Sequence, residues 1–267
     1  MSSAGKCRMK SSIIYRKLRE KRGKSELRLW AVAVWIAVWA LISSLLGEEV
    51  LLASPLSVLE RWIELMRDAD FWERAGYSAV RIGGGLISGA LIGILLAIPS
   101  ARFKWVRELL MPLISTIKTV PVASFVILAL IWLGAEGLGL FIALLLSLLM
   151  FYTHTLSGIE AADKKLLEMA QVYRLSAFKR ISTIYLPAVL PHLAAAAEVA
   201  VGLSWKSGTA AELIGVPRGS IGEKLYYAKV YLMSSDLLCW TLTVMLLSGL
   251  FGAVVKNLIK LWAKKYE

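Results

Sequence analysis

Histidine and cysteine are nearly absent from this chain, with two of each in 267 residues. Cys7 lies in a basic segment and Cys239 at the start of the last apolar run, so the pair cannot build an extracellular disulfide framework. His154 and His192 are far apart, and neither has a partner at metal-ligand spacing. Both are read as structural or interfacial. Catalytic signatures are missing too: no phosphate-binding Gly-Lys-Ser/Thr loop, no paired-His metal motif and no Gly-x-Ser-x-Gly elbow. An enzyme embedded in a membrane has little support from such a chain. No internal repeat is evident, which removes one common mark of transporters that act alone. Charge is also scarce, at 19% of residues against 58% hydrophobic, and mean hydropathy is +0.65. That balance excludes an ordinary soluble domain.

What is present is a series of apolar runs near the roughly 20 residues that cross a bilayer. They lie at about 29–46, 79–98, 113–133, 137–155, 193–207 and 237–255. An all-α integral membrane protein of about six spans is expected. The formal charge of +12 is unevenly placed, with ten Lys/Arg and two Glu between Lys6 and Arg28. Such a run can bind nucleic acid. Immediately before a span, it fixes that end in the cytoplasm, and this reading is preferred. A cleaved signal peptide is the alternative for the first run, but its length favours an uncleaved anchor. Residues 48–74 carry seven carboxylates against three arginines, which suits the outer face. Lys256, Lys260, Lys264 and Lys265 form a second basic flank. Six spans place both ends in the cytoplasm.

Several local expectations follow. Residues 57–72 have a helical pattern and are expected to lie along the membrane surface. Gly85, Gly89 and Gly93 repeat a small residue every four positions, which lets a neighbouring helix approach closely. Pro99 is expected to end the second span, and Pro121 to bend the third. Lys118 in the third span either lines a cavity or snorkels to the cytoplasmic interface. Residues 135–136 form a tight outer turn, and 215–236 a long polar outer segment.

The most informative stretch is 168–187, EMAQVYRLSAFKRISTIYLP. Two short helices are readable in it. The first ends near Tyr173 and the second starts at Ser176, a good N-cap. Phe178, Ile181 and Tyr185 form one apolar stripe with Lys179 and Arg180 beside it. Pro187 is expected to close the unit, since it lacks an N–H and restricts the residue before it. Excess Lys/Arg puts this loop in the cytoplasm.

The fifth span holds Glu198 and Lys206, with Glu212 just beyond. An ionisable residue in a span costs about 2.5–3.5 kcal/mol unless it is paired or wet. Glu198 and Lys206 lie about 80° apart around a helix and about 12 Å along it, so both are expected to face one bundle interior. Ser204, Trp205 and the nearby hydroxyls add polarity. Either Lys206 lines a pathway and favours an anionic or carboxylate-bearing solute, or it pairs with a carboxylate such as Glu198 or Glu212, or with one from a neighbouring subunit.

The loop also resembles that of the permease subunits of binding-protein-dependent ABC importers. Their pattern is Glu-Ala-Ala-x3-Gly-x9-Ile-x-Leu-Pro. Here Glu168-Met169-Ala170, Arg174 and Ile184-x-Leu186-Pro187 stand at the same spacing. Met169 replaces Ala, and Arg174 replaces a Gly that a tight turn can require for positive φ. Arg81 with its glycine-rich span, the segment 121–134, Gly202-Leu203-Ser204-Trp205, Ala211-Glu212-Leu213-Ile214-Gly215, Gly219-x2-Gly222 and Ser235-Asp236 are similar to the nitrate/sulfonate/taurine subgroup.

The resemblance spans about residues 55–262 and implies a division of the chain. A basic tail (1–28) precedes the first span and the start of an outer loop (29–54). A permease domain (55–262) contains the coupling loop (158–190), and a short cytoplasmic tail (263–267) follows. It also implies a multi-pass protein of a prokaryotic inner or plasma membrane that works as a non-catalytic subunit. Its partners would be two ATP-binding subunits, a second permease subunit (a homodimer being favoured) and an extracytoplasmic solute-binding protein, with no nucleic acid. This chain would bind no cofactor, ATP and magnesium being used by the ATPase. The ATPase-coupling residues would be Glu168, Ala170, Arg174, Phe178, Ile184, Leu186 and Pro187. Glu168 either fixes the coupling lever or only solvates the loop. A stand-alone ion-coupled secondary transporter is the competing reading.

Overall fold

The computed structural model describes residues 29–48 and 50–264. The basic tail 1–28 and the last three residues therefore lie outside the described residues. The described residues are helical throughout, with short connections, and fall into two units divided after Pro55.

The first unit holds α1 (Leu29–Leu46), apolar around its whole circumference. Gly47, at φ 68°, stops it by taking the left-handed conformation that glycine tolerates best. The chain then folds back. The Trp39 indole N–H donates to the Ala53 carbonyl (3.1 Å), and the Ser43 hydroxyl donates to that of Leu52 (2.9 Å).

The second unit begins in α2 (Pro55–Met66) and continues through α3 (Ala69–Arg102), α4 (Lys104–Thr119) and α5 (Val122–Glu160). Next come α6 (Lys164–Val172), α7 (Ala177–Arg180), a π-helical turn (Ile181–Tyr185) and α8 (Leu186–Gly215). Finally, α9 (Ile221–Val230) and α10 (Ser234–Lys264) complete it. Four stretches are long and apolar enough to cross a bilayer: Ala69–Arg102, Val122–Glu160, Ala177–Gly215 and Ser234–Ile259. A shorter apolar helix, Trp30–Leu46, lies in the first unit.

Helix α5 is central, with α3 and α8 packed against it. The glycine ladder makes the first of these contacts close. A Cβ built on Gly85 would lie 2.2 Å from the Leu140 carbonyl oxygen, and one on Gly89 would lie 2.3 Å from that of Leu144. On Gly93 it would lie 2.6 Å from that of Leu148. These obstacles are backbone, so a side chain cannot be accommodated without separating the helices. The Ser147 hydroxyl donates to the Leu86 carbonyl (2.6 Å) across the same seam. On the other side, Ala196, Ala197, Ala200, Val201 and Trp205 of α8 join Ile82, Leu86, Ala143 and Phe151 in one buried cluster.

Several boundaries differ from the sequence reading. Pro99 does not end its helix: α3 continues to Arg102, and the Phe103 N–H returns to the Pro99 carbonyl (2.8 Å). A proline near a helix end forfeits only one hydrogen bond. The third apolar run is not one helix, because Val120 and Pro121 adopt extended backbone and divide it between α4 and α5.

The 39 residues of α5 are not straight either, since Gly134 has φ 68° and ψ 178°. Val126 and Ala129 share a buried cluster with Leu138 and Ile142. In an unbroken helix, Val126 and Ile142 would be about 24 Å apart, so the chain reverses at Gly134. Likewise, Ile114 and Ile117 pack with Leu148, Leu149, Tyr152 and Leu156. The stretch 114–129 therefore runs antiparallel to 138–156.

The surface helix expected over 57–72 is also two elements. Helix α2 ends at Met66, and Phe71 and Trp72 belong to α3. One face of α2 docks on α10: Val58 is buried, its carbonyl accepts from the Cys239 thiol (3.2 Å), and the Trp62 indole donates to the Thr243 hydroxyl (3.0 Å). The polar segment 215–236 contains α9, whose N-cap Ser220 accepts from the Glu223 N–H. Ion pairs gather at this end: Arg61 with Asp236 (2.6 Å), Arg74 with Glu223, and Arg81 with Glu136 (2.8 Å).

Candidate functional site

The end of the bundle opposite those ion pairs carries the stretch singled out by sequence. Asp163 caps α6 by accepting from the Lys165 N–H (2.9 Å). The helix closes with a Schellman arrangement around Arg174. The Leu175 N–H reaches back to the Ala170 carbonyl (2.9 Å), and the Arg174 N–H to that of Gln171 (3.0 Å). This geometry needs a left-handed residue, and Arg174 supplies it at φ 49°. The turn is therefore kept, and the arginine carries the strain that a glycine would avoid.

Ser176 caps α7, its hydroxyl accepting from the Lys179 N–H (3.4 Å). Arg180 is not a free flanking cation, since its Nε donates to the Leu175 carbonyl (3.0 Å) and ties the two short helices together.

Ala170 and Ile184, fourteen residues apart, meet in one buried cluster with Ala162. Leu166, Leu167, Leu175, Tyr185 and Ala188 pack around them. Tyr185 thus turns inward and leaves the stripe assigned to it. The apolar residues that remain outside are Phe178 (82% exposed) and Ile181 on the second helix, with Met169, Val172 (79%) and Tyr173 on the first. The contribution of the first helix was missed in the sequence. Its signal was the three- and four-residue spacing of Met169, Val172 and Tyr173. Glu168 lies on the exposed side, and its side chain makes no ion pair or hydrogen bond with another described residue.

Pro187 does not close the unit. It occupies the first turn of α8, where its missing N–H costs little. The π turn before it widens the helix by one residue, with the Leu186 N–H bonded to the Ile181 carbonyl. Helix runs on from Ala177 to Gly215, with Pro191 inside. The helix that holds the fifth apolar run therefore starts before Pro187 and not after Pro191.

Helix α8 also separates the polar residues of that run onto two faces. Ser204 and Trp205 are buried; the Ser204 hydroxyl donates to the Ala143 carbonyl (3.2 Å), and Trp205 packs edge-on against Phe251 (5.2 Å between centroids). Glu212 is buried as well. The Ser78 hydroxyl donates to its carboxylate (2.7 Å) while accepting from the Ile221 N–H (2.9 Å). Glu212 thereby joins α3, α8 and the start of α9. Within this chain, Ser204, Trp205 and Glu212 are thus buried between packed helices.

Glu198 and Lys206 lie on the exposed side of α8, so they do not face the interior of this chain's own bundle. Lys206 makes no ion pair with Glu198 or Glu212. Among the described residues, no group of three His, Cys, Asp or Glu side chains is arranged to hold a metal ion.

Comparison with known proteins agrees with this architecture. Residues 89–267, more than half of the chain, match the family described as binding-protein-dependent transport system inner membrane component. The chain is 29% identical over 245 residues to the putative aliphatic sulfonates transport permease protein SsuC of Escherichia coli, covering 88% of this chain and 92% of that protein. It is 25% identical over 240 residues to the nitrate import permease protein NrtB of Synechocystis, covering 86% and 84%. Similarity to the taurine transport system permease protein TauC of Escherichia coli is 27% over 203 residues, covering 72% and 73%. On the length of the family match, this chain belongs to the inner-membrane permease components of binding-protein-dependent ABC transport systems, as a non-catalytic, multi-pass membrane subunit.

Proposed function

We propose that the chain is half of a homodimeric import pathway for a small anionic solute, driven by two cytoplasmic ATPases and supplied by an external binding protein. The observation that carries this reading is the build of residues 163–185. Their inner face is fixed by the Ala162–Ala170–Ile184 cluster, while Met169, Val172, Tyr173, Phe178 and Ile181 stand exposed beside it. An apolar patch on short rigid helices suits a groove on a partner. Glu168, exposed at its edge and without a side-chain bond to another described residue, would meet a cation on the rim of that groove.

On its C-terminal side the unit runs into the membrane span without a break. Helix passes through the π turn into α8, so movement of the docked helices is passed directly to the span bearing Glu198 and Lys206. ATP binding would close the ATPases and shift both levers; hydrolysis would reset them.

Six crossings with both ends in the cytoplasm fit this assembly. Helix α1 supplies the first and α3 the second. Helix α4 with residues 122–133 supplies the third, residues 135–160 the fourth, α8 the fifth and α10 the sixth. The α3–α4 turn with Arg102, Lys104 and Arg107, and the coupling unit with Lys164, Lys165, Lys179 and Arg180, fall at one end. By the positive-inside rule, that end is cytoplasmic. The anionic class of solute rests on the sulfonate, nitrate and taurine permeases that the chain resembles over most of its length.

The test is gentle purification of the tagged chain from native membranes. A stoichiometric ATP-binding subunit is expected to copurify. Phe178→Asp and Val172→Asp place charge in the proposed contact without touching the buried cluster, and each is expected to reduce recovery of that subunit at least tenfold. Full recovery with both variants would show that the ATPase docks elsewhere.

A further inference from the structure

The exposed faces of the long helices differ in kind. Helix α3 turns Val80, Ile87, Leu91 and Leu95 outward, and α10 turns Met245, Leu246, Leu250 and Val254 outward. Such surfaces suit lipid. On α8 the outward side carries Ala195, Glu198, Val199, Gly202, Lys206, Ala210 and Ile214, so it mixes charge and small residues with two apolar side chains. Lys206 is exposed, and its side chain has no hydrogen bond or ion pair with any described residue. Glu198, two turns away, has a contact of its own.

Depth makes the cation unusual. Lys206 precedes the end of α8 at Gly215 by nine residues, or about 13 Å along the axis. In a hydrocarbon layer about 30 Å thick, that is near the midplane. A lysine there is far from the headgroups to which it would snorkel. An ammonium in lipid at this depth is unfavourable by about 2.5–3.5 kcal/mol. Water and a passing anion remove that cost, and the small side chains leave space for both. A Cβ built on Gly202, one turn from Lys206, meets nothing within 4 Å.

We infer that Lys206 is the anion-binding contact of the translocation pathway, where its ammonium takes the sulfonate, carboxylate or oxyanion group of the solute as it passes the Gly202–Ala210 face. This rests on the importer reading and deepens it. The binding protein selects the solute outside. Lys206 then offers the charged group a way-station at mid-membrane, so that it crosses without entering an apolar medium. The contact must be weak enough to release, which one exposed ammonium, with no supporting hydrogen bond from a described residue, provides.

Three measurements on the complete transporter decide the matter. The solute carried by the copurified binding protein is identified by mass spectrometry; an anionic group is expected, and an uncharged or purely cationic solute overturns the inference. Uptake of that solute into membrane vesicles is then compared. Lys206→Met is expected to lower the rate at least tenfold with the assembled complex intact, and Lys206→Arg to stay within about threefold. Wild-type rates with Met overturn it.

The third arm needs no solute. In a Cys7→Ser, Cys239→Ala background, Lys206→Cys is expected to react with a membrane-impermeant, sulfonate-bearing methanethiosulfonate, whereas Leu250→Cys on the lipid side is not. No reaction at position 206, with or without trapped ATP, overturns its placement in the pathway. If no ATPase copurifies but position 206 is still modified, the importer assembly fails while the aqueous placement of Lys206 stands, so the two ideas fail separately.

Discussion

Replacing Arg174 by glycine should strengthen the turn that ends α6. The residue sits at φ 49° as the left-handed position of the Schellman turn that ends α6. For a residue with a Cβ, that conformation is unfavourable by about 1–2 kcal/mol. Glycine removes the penalty but brings about 0.5–1 kcal/mol of extra backbone entropy to the open state. No side-chain contact is lost, because the Arg174 side chain is exposed and makes no bond with a described residue. The net gain is about 0.5–1 kcal/mol, or roughly a two- to fivefold lower opening equilibrium for the turn.

Global melting would not report this well, since the loop can open while the bundle stays folded. Hydrogen exchange over residues 170–178 is the suitable assay, with intrinsic rates corrected for each variant. The Leu175 amide, bonded to the Ala170 carbonyl, is the reporter. Arg174→Gly should slow exchange two- to fivefold, Arg174→Ala should leave it near wild type, and Arg174→Val should speed it, because β-branched residues tolerate positive φ least. Equal protection in the Gly and Val variants would refute the left-handed assignment, and with it the claim that the turn survives without glycine.

Other outcomes can be checked with less effort. Gly89→Ala places a methyl group 2.3 Å from a backbone carbonyl and should lower thermal stability of the purified protein by several degrees, whereas Gly84→Ala, which meets nothing within 4 Å, should not. Ser78→Ala removes both the donor to Glu212 and the acceptor for Ile221, and should destabilise by about 1–3 kcal/mol in a denaturation series. Val216 is a β-branched residue at φ 50°, so Val216→Gly should raise the melting temperature slightly. With Cys7 replaced by Ser, the folded protein should resist maleimide labelling, because Cys239 is buried against α2; rapid labelling would contradict that packing.

The amino-acid sequence by itself settled the membrane class, because hydrocarbon demands long apolar helices and this chain has several runs that can form them. It also located the two short helices of 164–180, since caps, turn residues and apolar spacing are local signals: Ser176 caps a helix, and Tyr173 ends one, where the pattern put them. The close-approach role of Gly85, Gly89 and Gly93 was legible for the same reason, as their four-residue spacing fixes a shared face.

What needed the tertiary structure was the choice of faces and joints. In α8, alanine, glycine and valine occur all round the helix, so hydrophobicity does not say which side is inward. Packing against α5 decided it, burying Ser204, Trp205 and Glu212 and leaving Lys206 outside. Nor does a local signal tell a proline that ends a helix from one that a widened turn or a helix end accommodates, as at Pro187 and Pro99. Those outcomes depend on neighbours distant in sequence: Ile184 is held by Ala162 and Ala170, and residues 114–129 lie along 138–156. Local chemistry named the parts; long-range packing set which face of each part is buried against protein and which is left exposed.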